Sequence, residues 1–140
     1  MELLRKNGVQ ILVDVRRFPL SRKNPQFNRE DFSVFLKNNG IEYVWLGDKL
    51  GGFRKGGYLS YMTSIDFAQG IQEFLLLSRH KITALMCAEK LWFRCHRRFI
   101  ATFLTERNYP VVHIVDAKRK VAHPGILKGK TPNLSFKKLL

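Results

Sequence analysis

The sequence predicts an α/β domain of three layers, in which a mostly parallel open sheet of about four strands carries helices on both faces. Two observations support this fold class. Short apolar runs rich in β-branched residues alternate along the chain with segments whose apolar residues recur at helical spacing. The first of these runs, residues 9–15, is almost continuously apolar, which is typical of a strand buried on both faces of a parallel sheet.

The first half of the chain contains a helix end, two strands, a complete helix and a long loop. Gly8 ends the first helix as a C-terminal cap, and Asn28 is a suitable N-cap for the complete helix. The loop is rich in glycine but matches no Walker or dinucleotide motif, so we expect an irregular turn or a flexible lid. In chain order, we predict a helix end at residues 1–8, a strand at 9–15, a helix at 28–40, a strand at 41–45 and a loop at 46–57.

The second half of the chain continues the alternation. A short apolar run that includes Ile and Thr predicts a buried strand, and from Cys95 the apolar residues recur at helical spacing. In chain order, we predict a helix at residues 58–62, a helix at 66–78, a strand at 82–86, a helix at 95–106 and a strand at 111–115. The composition then becomes basic and is broken by prolines and glycines, so we predict a single α/β domain, residues 1–117, and a basic tail, residues 118–140, with at most a short closing helix.

The composition favours an anionic partner. The chain carries 25 Lys and Arg residues against 11 Asp and Glu, a formal net charge of +14, which favours nucleic acid, nucleotides or phosphorylated metabolites. A solvated basic tail is the simpler explanation for part of this surplus, and both interpretations stay open. Two cysteines are too few for a disulfide scaffold, and the sequence contains neither a signal peptide nor an apolar run of membrane-spanning length. We therefore expect a soluble, cytoplasmic protein without a membrane partner.

Chemically reactive residues concentrate between the strand at residues 82–86 and the helix that follows it. Cys87 follows the strand directly, and ligands in open α/β sheets bind beyond the carboxyl ends of strands. A thiol near a helix N-terminus and arginines has a lowered pKa, which predicts Cys87 as a nucleophile. His96 is then the partnering base, and Glu89 an acid, base or orienting group, so the predicted catalytic residues are Cys87, Glu89 and His96.

Three alternatives to this interpretation stay open. In the first alternative, Cys87 is a small buried apolar residue at the end of a strand. In the second, Cys87, Cys95 and His96, with or without His113, bind a metal; the spacing of the cysteines does not match structural zinc sites and adjacent Cys-His ligands strain the geometry, so we assign no metal ligands. In the third, Arg94 and Cys87 belong to a phosphatase-like or rhodanese-like loop, although that loop is usually shorter and richer in small residues.

The first strand also supplies candidate ligand-binding groups. Asp14 lies inside the strand, and Arg16 and Arg17 follow it. Because neighbouring parallel strands present their carboxyl ends at one edge of the sheet, these guanidinium groups are placed to bind a phosphate or carboxylate in the same crevice as Cys87. Solvated surface arginines are the alternative.

Several short motifs occur in a specific order along the chain. They are Val13-Asp14-Val15-Arg16 with Pro19, Ser21 and Pro25 to Phe27; Gly40-Ile41 with Tyr43; Leu50-Gly51-Gly52; Leu85 to Glu89; and Cys95-His96-Arg97-Arg98 with Ile100-Ala101. In this order, over residues 1 to about 115, they resemble the family called domain of unknown function 488. The resemblance implies a compact α/β domain and a site that uses the Cys-Ala-Glu and Cys-His-Arg motifs, and it supplies no reaction or cofactor. The predicted ligand-binding residues are Asp14, Arg16, Arg17, Ser21, Gly51, Gly52, Cys95 and Arg97.

The resemblance also carries an expectation about the N-terminus. Members of that family begin with a strand that ends in Thr-Ile-Gly-His-Ser before the helix with which this sequence starts. Its absence implies a shortened chain or a start codon placed too late. If the missing strand contributes a histidine or serine to the site, the resemblance implies a chain that is inactive or that borrows this element from a partner. An exposed position at the sheet edge is also a route to homo-oligomers.

Two functional hypotheses follow. In the first, the protein is an enzyme whose anion-accepting crevice brings Cys87 and Glu89 to a phosphorylated or nucleic-acid-related ligand, supported by Arg16, Arg97 and His96. In the alternative, it is a non-enzymatic nucleic-acid-binding module with structural cysteines, whose aromatic residues near basic ones stack on bases.

Overall fold

The computed structural model describes residues 1–125 and a short strand at residues 137–139. Its helices are α1 (Glu2–Lys6), α2 (Arg29–Asn38), α3 (Gly47–Leu50), α4 (Tyr58–Tyr61), α5 (Ile65–Leu77) and α6 (Arg97–Glu106). Its strands are β1 (Ile11–Asp14), β2 (Glu42–Trp45), β3 (Thr83–Met86), β4 (Val111–Ile114), β5 (Lys120–Ala122) and β6 (Lys137–Leu139). Two 3-10 turns, Pro25–Phe27 and Trp92–Arg94, precede α2 and α6.

The described strands form one sheet in the order β2-β1-β3-β6-β4-β5. Neighbouring strands are parallel except for β4 and β5, which are antiparallel. The register places Asp14, at the end of β1, opposite Trp45 of β2 and Met86 of β3. The segments that follow β1 and β3 therefore leave the same edge of the sheet side by side.

The sheet separates two apolar cores. The core on the side of α3, α5 and α6 includes Ile11, Val13, Leu50, Phe67, Phe74, Leu85, Ile100 and Leu104. The core on the side of α1 and α2 includes Leu4, Leu12, Phe32, Leu36 and Ala84. Successive residues of β1 alternate between the two cores because side chains alternate across a strand. The predicted α/β class, with a mostly parallel sheet and helices on both faces, is confirmed.

Three elements escaped the prediction, whereas every helix and strand predicted within residues 1–115 is present. One of them is the strand β6, which lies between β3 and β4 and belongs to the segment predicted as a basic tail with at most a short closing helix, so the described sheet has six strands instead of about four. The four-residue helix α3 forms inside the glycine-rich segment. This helix is too short and too polar to show an apolar helical period. The strand β5 pairs with β4 at the start of the predicted tail, where all three of its residues are exposed and give no apolar signal. A boundary at residue 117 stays a prediction, and residues 126–136 of the predicted tail lie outside the described residues.

The helices of residues 1–125 are all too short or too polar to cross a lipid bilayer. The outer strands of the described sheet are β2 and β5. Association of two copies through a sheet edge stays a prediction.

Candidate functional site

A cavity of about 500 Å³ opens where the chain leaves β1 and β3. The structure brings seven of the predicted site residues to its wall. They are Arg16, Arg17, Gly52, Cys87, Glu89, Cys95 and His96. Arg16 and Arg17 follow β1, and Gly52 belongs to the loop after α3. The other four residues lie between β3 and α6. The main cavity, as we call this space, thus lies at the carboxyl ends of parallel strands, where ligands bind in open α/β sheets.

Two thiols and one imidazole form a compact group on the wall of the main cavity, which we call the Cys-Cys-His cluster. The ligand atoms of Cys87, Cys95 and His96 all lie within 4.8 Å of one another. The Cys95 Sγ is 3.6 Å from the His96 Nδ1, and both cysteines are free thiols. Three groups that are able to bind a metal, or to exchange protons with one another, therefore meet at one point.

The imidazole of His96 has two close neighbours. Its ring packs against Tyr58, with ring centroids 5.2 Å apart, and the Tyr58 hydroxyl donates to the Leu50 carbonyl at 2.8 Å. The second neighbour is Gly52, where a Cβ would come 3.0 Å from the His96 Nδ1. A glycine at this position lets the loop approach the ring closely, and Tyr58 is a supporting residue that the sequence analysis missed.

Arg97 lies behind the cluster and does not line the main cavity. Its side chain is fully buried, at 0% exposure. Its backbone N–H and its Nε donate to the Cys95 Sγ at 3.5 and 3.4 Å, and its Nη2 donates to the Glu89 carbonyl. Within residues 1–125 the Arg97 Nη1 has no hydrogen-bond partner and the guanidinium forms no ion pair with a carboxylate. Arg97 therefore holds the segment between β3 and α6 in place, which differs from the ligand contact predicted for it.

The two thiols differ in pKa, in the opposite sense to the expectation for Cys87. A hydrogen bond from the Cys87 thiol, supported by His96 and the Arg97 backbone N–H, lowers the pKa of Cys95 to about 3. Hydrogen bonding to Cys95 and burial raise the pKa of Cys87 above its ordinary value. The expectation of a lowered pKa at Cys87 is therefore wrong. The sequence showed the arginine next to both cysteines, but not which sulfur receives its N–H groups.

Asp14 supports Arg16 from inside the protein. The carboxylate is fully buried and accepts from the Arg16 Nε at 2.9 Å and from its Nη2 at 2.7 Å. It also accepts from the Tyr43 hydroxyl at 2.6 Å, and burial together with this hydrogen bond raises the pKa of Tyr43. Asp14 thus orients the guanidinium at the cavity wall and does not reach the main cavity itself. Tyr43, which the sequence indicated only as part of a motif, completes the hydrogen bonding of Asp14.

Two other predicted ligand-binding residues lie beside the main cavity. Ser21 lines a smaller hollow of about 300 Å³, whose wall also includes Arg16 and Cys87. Gly51 packs against the backbone of Arg17, since a Cβ at this glycine would come 2.9 Å from the Arg17 Cα. Gly51 is therefore a packing position, and Ser21 belongs to a neighbouring hollow.

Four further residues complete the wall of the main cavity, namely Phe18, Phe53, Ala88 and Arg94. Phe18 and Phe53 are 67% and 86% exposed, and their ring centroids lie 6.4 Å apart. Arg94 supplies a third guanidinium group, which the sequence analysis considered only for a phosphatase-like loop. Phe53 has a positive φ of 58°, and the Arg17 Nη1 donates to its carbonyl oxygen. The available signal in the sequence was the closeness of these aromatic residues to arginines.

The model of one protein family, described as Domain of unknown function DUF488, matches residues 1–104. The chain belongs to the DUF488 family. No curated protein and no solved structure gives a significant match to it. All residues that line the main cavity fall inside the DUF488 match.

His113, the fourth ligand considered for a metal, lies outside the DUF488 match. Its side chain belongs to a different group. Its Nε2 is 2.8 Å from the His123 Nδ1, and its ring stacks on Trp92 with centroids 4.0 Å apart. Burial and the neighbouring His123 lower the pKa of His113 to about 3, so that its imidazole is neutral. The three-residue cluster of this DUF488 protein is therefore assembled without His113.

Proposed function

We propose that this DUF488 protein is an enzyme that acts on an anionic ligand, either a phosphorylated metabolite or a nucleotide-like molecule, in the main cavity. The observation that carries the proposal is the meeting of three guanidinium groups with the Cys-Cys-His cluster on one wall. The volume of about 500 Å³ falls within the range of small-molecule sites, about 300 to 1,000 Å³.

Two of the three arginines provide net positive charge for the ligand. The charge of Arg16 is balanced by Asp14, to which it is bound by three side-chain hydrogen bonds of 2.7, 2.9 and 3.1 Å. Arg17 and Arg94 form no ion pair with a carboxylate among the described residues. Guanidinium groups bind phosphate and carboxylate in a bidentate way, so an anionic group of the ligand is expected beside Arg17 and Arg94.

The exposed aromatic rings at the opening favour a planar group in the ligand. Phe18 and Phe53 expose most of their surface at the cavity wall, and single-stranded bases stack on such rings. A nucleotide, which combines a base with phosphate, satisfies both the rings and the guanidinium groups. This combination favours a nucleotide-like ligand over a small phosphorylated metabolite.

The reacting groups in this proposal are Cys87, Cys95 and His96, with Glu89 as the acid or base. Glu89 lines the main cavity, and its Oε1 accepts from the Leu91 backbone N–H at 3.0 Å, which restrains the carboxylate. A restrained carboxylate next to the cluster is placed to move a proton to or from the ligand.

A binding experiment tests the anion site. We expect pyrophosphate and adenosine monophosphate to bind the full chain in isothermal titration calorimetry. Replacing Arg17 or Arg94 with Ala should weaken each affinity about tenfold or more, since each change removes a hydrogen bond from a charged donor. Arg79→Ala is the matched control, because Arg79 is exposed at the end of α5, away from the main cavity. Equal affinities in all three variants, or no binding by the unchanged protein, would contradict the proposal.

A turnover experiment tests the reacting groups. The full chain is incubated with a set of nucleoside mono-, di- and triphosphates, and the products are separated chromatographically. We expect a new product, whose formation is lost in Cys87→Ala, Cys95→Ala and Glu89→Gln. Turnover that persists in Cys87→Ala and Glu89→Gln would remove these two residues from the chemistry.

One observation favours a second candidate function, the binding of single-stranded nucleic acid. A surface depression next to the main cavity is lined by Arg17, Phe18, Arg29 and Trp45, among other residues. The Arg29 guanidinium lies 4.2 Å from the centroid of the Trp45 ring, and that of Arg17 lies 5.5 Å from the Phe18 ring. Alternating rings and cations along a groove suit a chain of stacked bases with its phosphates.

A further inference from the structure

We propose that the Cys-Cys-His cluster binds one zinc ion, with its fourth coordination position open to the main cavity. The inference rests on the proposed function, because it names the group that does the chemistry at the same site. The three ligands are the thiolates of Cys87 and Cys95 and the imidazole of His96.

The distances within the cluster suit a tetrahedral ion. Zinc lies about 2.3 Å from thiolate sulfur and about 2.0 Å from imidazole nitrogen, which at the tetrahedral angle separates sulfur from nitrogen by about 3.5 Å. The Cys95 Sγ and the His96 Nδ1 are 3.6 Å apart. The ligand atoms of all three residues lie within 4.8 Å of one another, so that small side-chain rotations bring the remaining pairs to the tetrahedral spacing.

The backbone explains how adjacent cysteine and histidine reach the same ion. Cys95 is extended, with φ −115° and ψ 154°, whereas His96 is helical, with φ −59° and ψ −16°. The chain therefore turns between the two residues, and their side chains converge instead of pointing to opposite sides. Cys87 approaches from the end of β3, on the neighbouring part of the wall. The strain expected from the sequence is removed by this turn at the start of α6.

The donor set selects the type of metal and the type of site. Two sulfurs and one imidazole nitrogen are soft or intermediate ligands that suit zinc, whereas magnesium and calcium require oxygen ligands. Structural zinc sites have four protein ligands, and catalytic sites have three and an open position. Because Cys87, Cys95 and His96 all line the main cavity, the open position faces the space that the proposed ligand occupies.

The surroundings of the cluster match those of a bound metal. The backbone N–H and the Nε of Arg97 donate to the Cys95 Sγ at 3.5 and 3.4 Å, which offsets the negative charge of a coordinating thiolate. Tyr58 and Gly52 both lie close to the His96 ring and restrict its movement. Such outer-shell contacts orient metal ligands and tune the ion. A zinc ion here would polarise a phosphoryl or carbonyl oxygen of the ligand.

Zinc titration of the full chain tests the inference. The protein is purified under reducing conditions, stripped with a chelator, and titrated with zinc in competition with a chromophoric chelator. We expect one zinc ion per chain. Cobalt should give the intense visible absorption of a tetrahedral site and a sulfur-to-cobalt charge-transfer band.

Ligand variants decide whether the cluster is the binding site. Cys87→Ser, Cys95→Ser and His96→Ala should each weaken zinc binding by more than about 100-fold, beyond the loss that outer-shell changes cause. His80→Ala is the matched control, because His80 is exposed and does not line the main cavity. Circular dichroism of the stripped variants checks folding. Should the buried Cys95→Ser fail to fold, the partly exposed Cys87 and His96 carry the test. No zinc binding by the unchanged protein, or equal binding by the cluster variants and His80→Ala, would overturn the inference.

Failure of this inference is distinguishable from failure of the proposed function. Arg17→Ala and Arg94→Ala change the anion site and leave the three ligands in place, so both should bind zinc as the unchanged protein does. Zinc binding without pyrophosphate binding would refute the anion site alone. Pyrophosphate binding without zinc binding would refute the metal site alone.

Discussion

At the scale of single residues, Arg97 is the side chain on which the site depends most. It is the largest of the fully buried side chains among the described residues. Through its Nη2 it reaches the Glu89 carbonyl, and through its Nε and backbone N–H it reaches the Cys95 Sγ. One buried guanidinium thus connects both ends of the segment that carries the catalytic candidates. Its loss would leave the part-buried Glu89 carbonyl without this donor and would remove the side-chain donor to the Cys95 Sγ, and each lost hydrogen bond has a cost.

We therefore predict that Arg97→Ala lowers the free energy of unfolding by roughly 3 kcal/mol, the range for loss of a buried polar network. Arg97→Lys should recover only part of this loss, because a lysine keeps the charge but not the planar set of donors. Urea unfolding followed by circular dichroism measures both changes. Arg98→Ala is the control, since the exposed Arg98 donates to the Phe93 carbonyl at 3.1 Å and lies 4.5 Å from the centroid of the Phe99 ring, and loss of these surface contacts should change stability by less than about 0.5 kcal/mol. Equal losses at the two positions would show that burial of Arg97 contributes nothing.

The residues of the site were predictable to different extents for physical reasons. The position of Cys87, Glu89 and His96 after a strand and before a helix was enough to place them on a cavity at the sheet edge. Arg97 and Asp14 were expected at the ligand, but their side chains turn into the protein. A sequence shows that a residue follows a strand or begins a helix, but it does not show whether the side chain points to solvent or to the core. Nor does it show which distant loop, such as the one that carries Phe53, folds over the same opening.

At the scale of elements, the segment from β2 to α4 acts as a platform for the site. The Trp45 Nε1 donates to the Arg16 carbonyl at 2.8 Å, and the hydroxyls of Tyr58 and Tyr61 donate to the carbonyls of Leu50 and Lys49 at 2.8 and 2.6 Å. The first bond fixes the end of β2 against the segment that follows β1, and the other two fix α4 against α3. The sequence predicted residues 46–57 of this region as a long loop, and the glycines there allow a close packing of backbones that residue type alone does not reveal.

Gly51 is a position at which this packing acts directly on a residue of the site, Arg17. A Cβ there would come 2.2 Å from the Gly47 carbonyl oxygen and 2.8 Å from the Arg17 Cβ, so the backbone must move. We predict that Gly51→Ala lowers the free energy of unfolding by roughly 2 kcal/mol, as overpacking does. It should also weaken pyrophosphate binding, because Arg17 is displaced. Urea unfolding and calorimetry measure these two effects.

Gly57→Ala separates steric overlap from backbone strain. Gly57 has a φ of +90°, but a Cβ there would meet no atom within 4 Å. It should therefore cost only the strain of this conformation, in a region of φ and ψ that is nearly restricted to glycine, about 1 to 3 kcal/mol, and leave pyrophosphate binding unchanged. If both alanine variants weaken pyrophosphate binding equally, the packing of Gly51 against Arg17 does not position the anion site.

At the scale of the whole molecule, the charge and the fold have separate effects. A formal net charge of +14 on 140 residues attracts any polyanion, whatever the shape of the surface it meets. The main cavity adds a local arrangement of three arginines and two exposed rings. A small anion depends on this arrangement for binding, whereas a long polyanion depends on it only in part. The fold class followed from the alternation of strands and helices, but the sequence could not separate general attraction from a specific site. The separation depends on where the positive groups lie in space.

Salt dependence distinguishes the two effects. We predict that a single-stranded oligonucleotide binds the full chain weakly, and that the logarithm of its affinity falls linearly with the logarithm of salt concentration, because counterions are released. Arg17→Ala and Arg94→Ala should each reduce that slope by about one at most, as expected for one lost phosphate contact. The same variants should lose most of their affinity for pyrophosphate. Fluorescence anisotropy with a labelled oligonucleotide at several salt concentrations measures the slope. If oligonucleotide binding instead resists salt and disappears in both variants, the main cavity and its neighbouring depression are a nucleic-acid groove, and the second candidate function replaces the first.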